Sequence, residues 1–192
     1  PFYSANIRKL RPYEFYEWWY VREFDLPGSV ANRPLELIFA GLDTFATVWV
    51  NDVEVGRAAN MLIEHRFDVS KAIRPGQTNR IGVRIESAVH RARGYTYDAM
   101  LSALDTREEG LYVRKAPHMW GWDILPRVVS AGLWRSVWIE EREPDAFEQV
   151  YYWTANTGRD GATVGVRFQF RTNLRELDGL DLCFSGACGD HA

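Results

Sequence analysis

The sequence predicts an all-β protein built from two antiparallel sheets packed face to face, and three observations support this fold class. Short segments rich in aromatic and β-branched residues alternate with turn signals made of Gly, Pro, Asn and Asp. These segments recur at the close spacing that is typical of β-sandwiches. Long amphipathic helices are missing from the pattern, which argues against a helical bundle and against a doubly wound parallel sheet.

The clearest single strand covers residues 79–86, where Ile81, Val83 and Ile85 alternate with Arg or Gly. Successive side chains of a strand point to opposite faces, so this segment predicts one buried face and one face in water. Asn51-Asp52 lies between two such segments and predicts a hairpin turn. The remaining predicted strands are residues 18–24, 35–39, 46–50, 53–55, 67–69, 111–113, 136–140, 147–153 and 162–170.

Composition narrows the classes of function. The chain has 192 residues, of which 46% are hydrophobic and 26% are charged, a balance typical of globular proteins. Its formal net charge of -3 does not favour a nucleic acid or an anionic membrane as a partner. No apolar run approaches the roughly 20 residues of a membrane span, and the first residues show no targeting segment. We expect the start to be an internal boundary of a longer chain.

The sequence contains no motif for a complete catalytic or metal centre. A nucleophile elbow, a P-loop, a dinucleotide fingerprint and a zinc-protease motif are all missing. Cys183 and Cys188 are too few for a zinc site, and the four histidines have no metal-ligand spacing. Glu108 and Glu109 are adjacent, which on an extended chain turns them to opposite sides, so we expect a solvated loop there. We therefore predict no metal, no cofactor and no catalytic residue in this chain.

One segment, residues 114–127, concentrates groups that suit a sugar site. Trp120 and Trp122 flank a glycine, and Asp123 and Arg127 follow. An indole covers the apolar C–H face of a pyranose, and a carboxylate accepts strong hydrogen bonds from hydroxyls. A structural alternative is equally open at this point: both tryptophans pin a loop to the core while Asp123 pairs with Arg127.

Four stretches of the chain resemble the N-terminal region of glycoside hydrolase family 2, with the β-mannosidase branch the most similar. They are residues 1–6 with 19–24, residues 41–51 with 55–56, residues 114–115 with 121–123 and 126–127, and residues 132–137. The resemblance implies a galactose-binding-like jelly-roll β-sandwich over residues 1–143. It also implies the start of an immunoglobulin-like β-sandwich over residues 144–192, after a charged boundary that contains a proline.

The resemblance also implies roles for two residues of the segment 114–127. In this branch a loop with the motif Gly-Trp-Asp-Trp-Gly-Pro-Arg reaches the active site of a separate barrel domain. Its Trp walls the substrate pocket and its Asp contacts hydroxyls of the terminal sugar, which would make Trp122 and Asp123 substrate-binding residues. Ile124 and Leu125 stand where the family has the second Trp and the Gly.

The catalytic glutamates of the family lie in that barrel, which follows the immunoglobulin-like domain, and neither is in this chain. Retaining hydrolysis needs both carboxyl groups roughly 5 Å apart. We therefore expect the chain alone to be inactive and its parent to remove terminal β-mannosyl residues, with carbohydrate and an intramolecular barrel as partners. No nucleic acid or membrane is expected to bind.

Two other functions remain open on the sequence. A free-standing carbohydrate-binding module would use the same fold, and an exposed tryptophan stripe would favour it. A purely structural module would only buttress the barrel, and Asp123 would then play no part in turnover.

Overall fold

The computed structural model describes residues 3, 5–98, 100, 108–159 and 161–185. The chain divides into two compact units, Pro1–Arg142 and Glu143–Ala192. Both units are dominated by strands, and the few helices are one or two turns long. The predicted all-β class is confirmed.

The strands of the first unit form two main sheets and a short third one. The elements, in chain order, are α1 (Asn6–Leu10), β1 (Trp18–Asp25), β2 (Leu35–Phe39), β3 (Leu42–Asp43), β4 (Phe45–Val50), β5 (Val53–Ala59), β6 (His65–Asp68), β7 (Thr78–Ile85), α2 (Ala88–Arg93), β8 (Gly132–Leu133) and β9 (Val137–Glu141), with 3₁₀ turns at Arg11–Phe15, Gly28–Val30, Glu108–Gly110 and Pro117–Trp120. The sheets have the strand orders β1-β7-β4-β5, β6-β2-β9 and β3-β8, and every pairing in them is antiparallel.

The core of the first unit lies between the four-stranded and the three-stranded sheet. Phe39 of β2 and Val48 of β4 are fully buried in one apolar cluster. Ile81, Val83 and Ile85 of β7 turn into the same cluster, so the predicted alternation of this strand is confirmed. Burying this apolar surface supplies most of the free energy that holds the two sheets together.

The hairpin turn between β4 and β5 is present as predicted. Asn51 and Asp52 have positive φ angles of 48° and 69°, a conformation that Asn and Asp tolerate better than most residues. The Asn51 side chain is buried, donates to the Ala72 carbonyl at 2.8 Å and to Asn79 Oδ1 at 2.7 Å, and accepts from the Arg80 amide at 2.9 Å. The turn is thus tied to the neighbouring elements by a fully bonded polar side chain.

The prediction of a strand at residues 111–113 was wrong. This segment is a turn, and the residue after it makes only an isolated parallel bridge, Arg114 with Asn60. Val113 is buried in a second, smaller apolar cluster with Trp120 and Val89. Val113 is thus buried by packing in this cluster rather than by pairing in a sheet, whereas Leu111 and Tyr112 are exposed.

The second unit consists mainly of one long antiparallel hairpin. β10 (Ala146–Gly158) pairs with β11 (Gly161–Arg171), which confirms the strands predicted here. Large apolar side chains such as Phe147, Tyr152 and Phe168 are exposed, and none of the described residues of this unit is buried. Assignment of this unit to an immunoglobulin-like sandwich stays a prediction.

The described ranges contain no helix long and apolar enough to cross a membrane. They also contain no group of three or more His, Cys, Asp or Glu side chains arranged to hold a metal ion. Cys183 is an exposed free thiol, while Cys188 and His191 lie outside the described residues.

Candidate functional site

Trp122 and Asp123 lie in a narrow loop that runs from Met119 to Val128, called the tip loop below. At its base the Val128 amide donates to the Met119 carbonyl at 3.0 Å. Nearer the end, the Trp122 amide donates to the Leu125 carbonyl at 2.9 Å and the Leu125 amide donates back at 3.3 Å. These reciprocal bonds close a four-residue turn that carries Asp123 at its apex.

The two tryptophans of the tip loop have opposite environments. Trp120 is 1% exposed and packs in the smaller apolar cluster, whereas Trp122 is 54% exposed. Gly121 between them has a φ of 106°, a conformation that favours glycine and reverses the chain. Gly110 lies so close to the buried indole that a Cβ there would come within 2.8 Å of Trp120 Cδ1. Trp120 therefore anchors the loop, and Trp122 is presented on the surface.

Asp123 is exposed beside Trp122, so both predicted site residues lie on the surface within one turn. Ile124, which replaces the family's second Trp, is 89% exposed and extends the apolar surface of the tip. Binding sites usually enclose most of the surface of a small ligand. An exposed tip of this kind needs a second surface opposite it to enclose a sugar.

A buried ion pair holds both ends of the segment that contains the tip loop. Lys115 Nζ, before the loop, pairs with Asp43 on β3 and donates to the Ser130 carbonyl at 2.7 Å. Ser130 Oγ, after the loop, donates to Asp43 Oδ2 at 2.6 Å. The side chains of Lys115 and Asp43 are 0% and 3% exposed. Burial lowers the pKa of Lys115, and the charge of Asp43 acts in the opposite direction.

A second set of charges holds the side of the loop that returns to the sheet. Arg127 Nε donates to the buried Glu14 at 3.0 Å, and Arg127 Nη2 lies 2.7 Å from Glu109 Oε2. Arg93 Nε donates to the other oxygen of Glu109 at 2.7 Å. The Arg127 guanidinium also lies 5.2 Å from the centre of the Trp120 ring, within cation–π range.

The prediction that Glu109 belongs to a solvated loop was wrong. Its side chain is 18% exposed and is held between Arg93 and Arg127. Sequence reasoning also missed the roles of Glu14 and Lys115. The one local signal was the number of basic residues around the tip loop, because buried basic groups need acidic partners.

The Glu109 contacts make the tip loop sensitive to acid. Burial of Glu109 raises its pKa, but hydrogen bonds and charges from Arg93 and Arg127 outweigh this and lower the pKa below its usual value of 4.5. A group with a lowered folded-state pKa stabilises the fold above its unfolded-state pKa, and this contribution is lost as the pH falls through the folded-state value. We therefore expect the tip loop to loosen below about pH 4.5.

Hydrogen exchange of the amides of residues 110–130, corrected for the intrinsic pH dependence, measures this loosening. Glu109→Gln should exchange faster than the wild type at neutral pH and should show a weaker dependence on acid. Equal protection of the wild type and Glu109→Gln at neutral pH would contradict the proposed anchor.

Residues 1–135 match the protein family described as glycosyl hydrolase 2 galactose-binding domain-like. The chain is 32% identical over 149 residues to Beta-mannosidase B of Aspergillus flavus. This alignment covers 73% of this chain and 17% of that protein. It is 34% identical over 132 residues to Beta-mannosidase B of Aspergillus terreus, covering 64% of this chain and 15% of that protein.

Solved structures with the same fold include glycosidases of two kinds. Beta-D-mannosidase from Dictyoglomus thermophilum superposes with a TM-score of 0.74 at 26% identity, over 88% of this chain and 21% of that chain. A β-glucuronidase from Ruminococcus gnavus superposes with a TM-score of 0.53 at 19% identity, over 80% of this chain and 24% of that chain, and shares the fold alone. The chain thus spans less than a quarter of the length of each of these proteins.

Proposed function

This chain belongs to the galactose-binding domain-like family of glycosyl hydrolase 2, and from this we propose that it is the non-catalytic N-terminal part of a retaining glycoside hydrolase acting on terminal β-mannosides. The similarity to Beta-mannosidase B and to the mannosidase of Dictyoglomus thermophilum supports the choice of sugar. In this proposal residues 1–143 form the jelly roll and residues 144–192 begin an immunoglobulin-like domain. The tip loop adds Trp122 and Asp123 to the active site of a following barrel domain.

The observation that carries the proposal is the way the tip loop is held. Lys115 and Ser130, at either end, bond the same buried carboxylate of Asp43. Side chains placed to better than an ångström contribute far more to a reaction than mobile ones, because their ordering does not have to occur during binding. The loop that carries the exposed indole and carboxylate is held by one buried ion pair and by a second, partly buried set of charges. Such support suits a loop that works at a distance from its own core.

The two exposed side chains have complementary roles towards a sugar. The indole of Trp122 covers the C–H face of the terminal ring. The carboxylate of Asp123 accepts hydrogen bonds from neighbouring hydroxyls, and bonds to a charged acceptor are about twice as strong as neutral ones. Only contacts that strengthen as the ring distorts towards the transition state accelerate the reaction. The two catalytic carboxyl groups are assigned to the barrel.

Replacing Asp123 with alanine in the parent protein should lower kcat/KM for p-nitrophenyl β-mannoside by about 100-fold, roughly 3 kcal/mol of transition-state binding. Asp25→Ala, which removes an exposed carboxylate of β1, is the matched control and should leave kcat/KM unchanged. The same assay is run with the β-glucoside, β-galactoside, β-glucuronide and β-glucosaminide, and the β-mannoside should be turned over best. The 192-residue chain alone should hydrolyse none of them.

The outcomes separate the parts of the proposal. Preference for another sugar would make the mannoside assignment wrong while leaving the loop role intact. Normal turnover by Asp123→Ala would instead make this chain a structural buttress of the barrel. Hydrolysis by the 192-residue chain would contradict its assignment as non-catalytic.

A further inference from the structure

A groove of about 400 Å³ lies on the outer face of the four-stranded sheet and shares no residue with the tip loop. This volume lies within the range of small-molecule binding sites. The groove is called the indole groove below and is lined by Trp19, Val21, Trp49, Asp52, Arg80 and Gly82.

Gly82 is the reason that the sheet has a groove at this place. In the sheet register, Val21 of β1 and Trp49 of β4 pair with Gly82 on either side of the central strand β7. A Cβ on Gly82 would meet no atom within 4 Å, so the space above this residue is open. The indoles of Trp19 and Trp49 stack across the central strand with their ring centres 5.5 Å apart and their planes within 19°.

The exposed aromatic surface of the groove is unusual for the solvent side of a sheet, which is normally polar. Trp19 is 59% exposed and Val21 is 65% exposed. At one end of the groove Arg80 Nη2 lies 2.5 Å from Asp52 Oδ1, with both side chains more than half exposed. An exposed ion pair of this kind contributes little to stability, so its atoms can bond a ligand at small cost.

We propose that the indole groove binds the pyranose rings of an oligosaccharide. The outer face of the exposed Trp19 indole, held in place by its stacking on Trp49, fits the C–H face of a sugar ring. Asp52 accepts hydrogen bonds from the hydroxyls of the sugar, and Arg80 donates to them. The charged end of the groove disfavours a purely apolar partner, and Arg80 disfavours a cation over the indoles. This site uses other elements than the tip loop and does not depend on the function proposed for Trp122 and Asp123.

The test is isothermal titration calorimetry of the 192-residue chain with β-1,4-linked mannohexaose and with cellohexaose. NMR then follows the chemical shifts of the indole N–H groups as each sugar is added. We expect dissociation constants between about 10 μM and 1 mM, with shifts at Trp19 and Trp49. Trp19→Ala should weaken binding at least about 10-fold. Tyr152→Ala is the control, an exposed aromatic residue outside both the groove and the tip loop, and should bind as the wild type does.

Gly82→Val provides a second variant that separates binding from folding. Valine is favoured in strands and finds open space at this position, so the thermal unfolding temperature should not fall. Its methyl groups fill the floor of the groove, so binding should be lost. Absence of binding by both sugars up to about 10 mM would overturn the proposal. Binding that survives Trp19→Ala and Gly82→Val but is lost in Trp122→Ala would also overturn it, because the sugar would then lie on the tip loop.

Discussion

Replacing Lys115 with methionine is expected to lower the free energy of unfolding by about 3–5 kcal/mol, because it leaves a buried carboxylate without its counter-charge. Methionine keeps the length of the side chain and removes the ammonium group. Among the residues that the structure describes, the side chain of Asp43 would keep the hydroxyl groups of Thr44 and Ser130 as partners, at 2.5 Å and 2.6 Å. Two hydroxyl hydrogen bonds do not replace the charge lost from a site that is closed to water.

Chemical denaturation measures this loss, and two variants serve as controls. Arg33→Met removes an exposed ion pair with Glu141, whose atoms lie 2.8 Å apart, and should cost less than about 1 kcal/mol. The double variant Asp43→Asn, Lys115→Met removes both charges and should regain part of the stability lost by the single variant. A loss below about 1 kcal/mol in Lys115→Met would show that water reaches Asp43 and that the pair does not anchor the loop.

Replacing Trp120 with alanine should also cost about 3–5 kcal/mol, whereas Trp122→Ala should change stability by less than about 0.5 kcal/mol. Trp120 is 1% exposed, touches Gly110 and stacks with the Arg127 guanidinium, so its removal leaves a large cavity. Trp122 is 54% exposed, so its removal leaves no closed cavity. The same chemical change at positions two residues apart should therefore have very different effects.

Thermal and denaturant unfolding of the two variants tests this contrast. Trp120→Phe should cost less than Trp120→Ala, because an aromatic ring still fills most of the space. It also loses no hydrogen bond, since the indole N–H of Trp120 has no acceptor in the described part of the chain. Similar losses for Trp120→Ala and Trp122→Ala would mean that both indoles anchor the loop, the structural alternative raised by the sequence.

Local patterns determined most of the sheet structure. The alternation of Ile81, Val83 and Ile85 predicts β7 and its buried face, since the period of two is a property of any extended chain with one side in water. Asn51 and Asp52 predict a turn because their short polar side chains tolerate positive φ angles. The strand predicted at residues 111–113 was wrong because a short run of aliphatic and aromatic residues also occurs in a turn that buries only one of them, here Val113.

The candidate site was predictable in residue type but not in arrangement. Trp122 and Asp123 stand out through the resemblance of their motif, and both lie on the surface in one turn. On an extended chain Trp120 and Trp122 would face the same side. The positive φ of Gly121 turns them apart, and the motif alone does not show which of them is buried.

The sequence by itself determined the strand period, the turns, the family and the motif of the tip loop, because each of these is encoded in residues close together in the chain. Only the tertiary structure decided which charges are buried and which aromatic rings meet. Arg127 and Glu14 are 113 positions apart, and Trp19 and Trp49 lie on strands that the sheet order separates by β7. Burial and contact across such distances depend on how the sheets pack, and no local pattern of residue types specifies that packing.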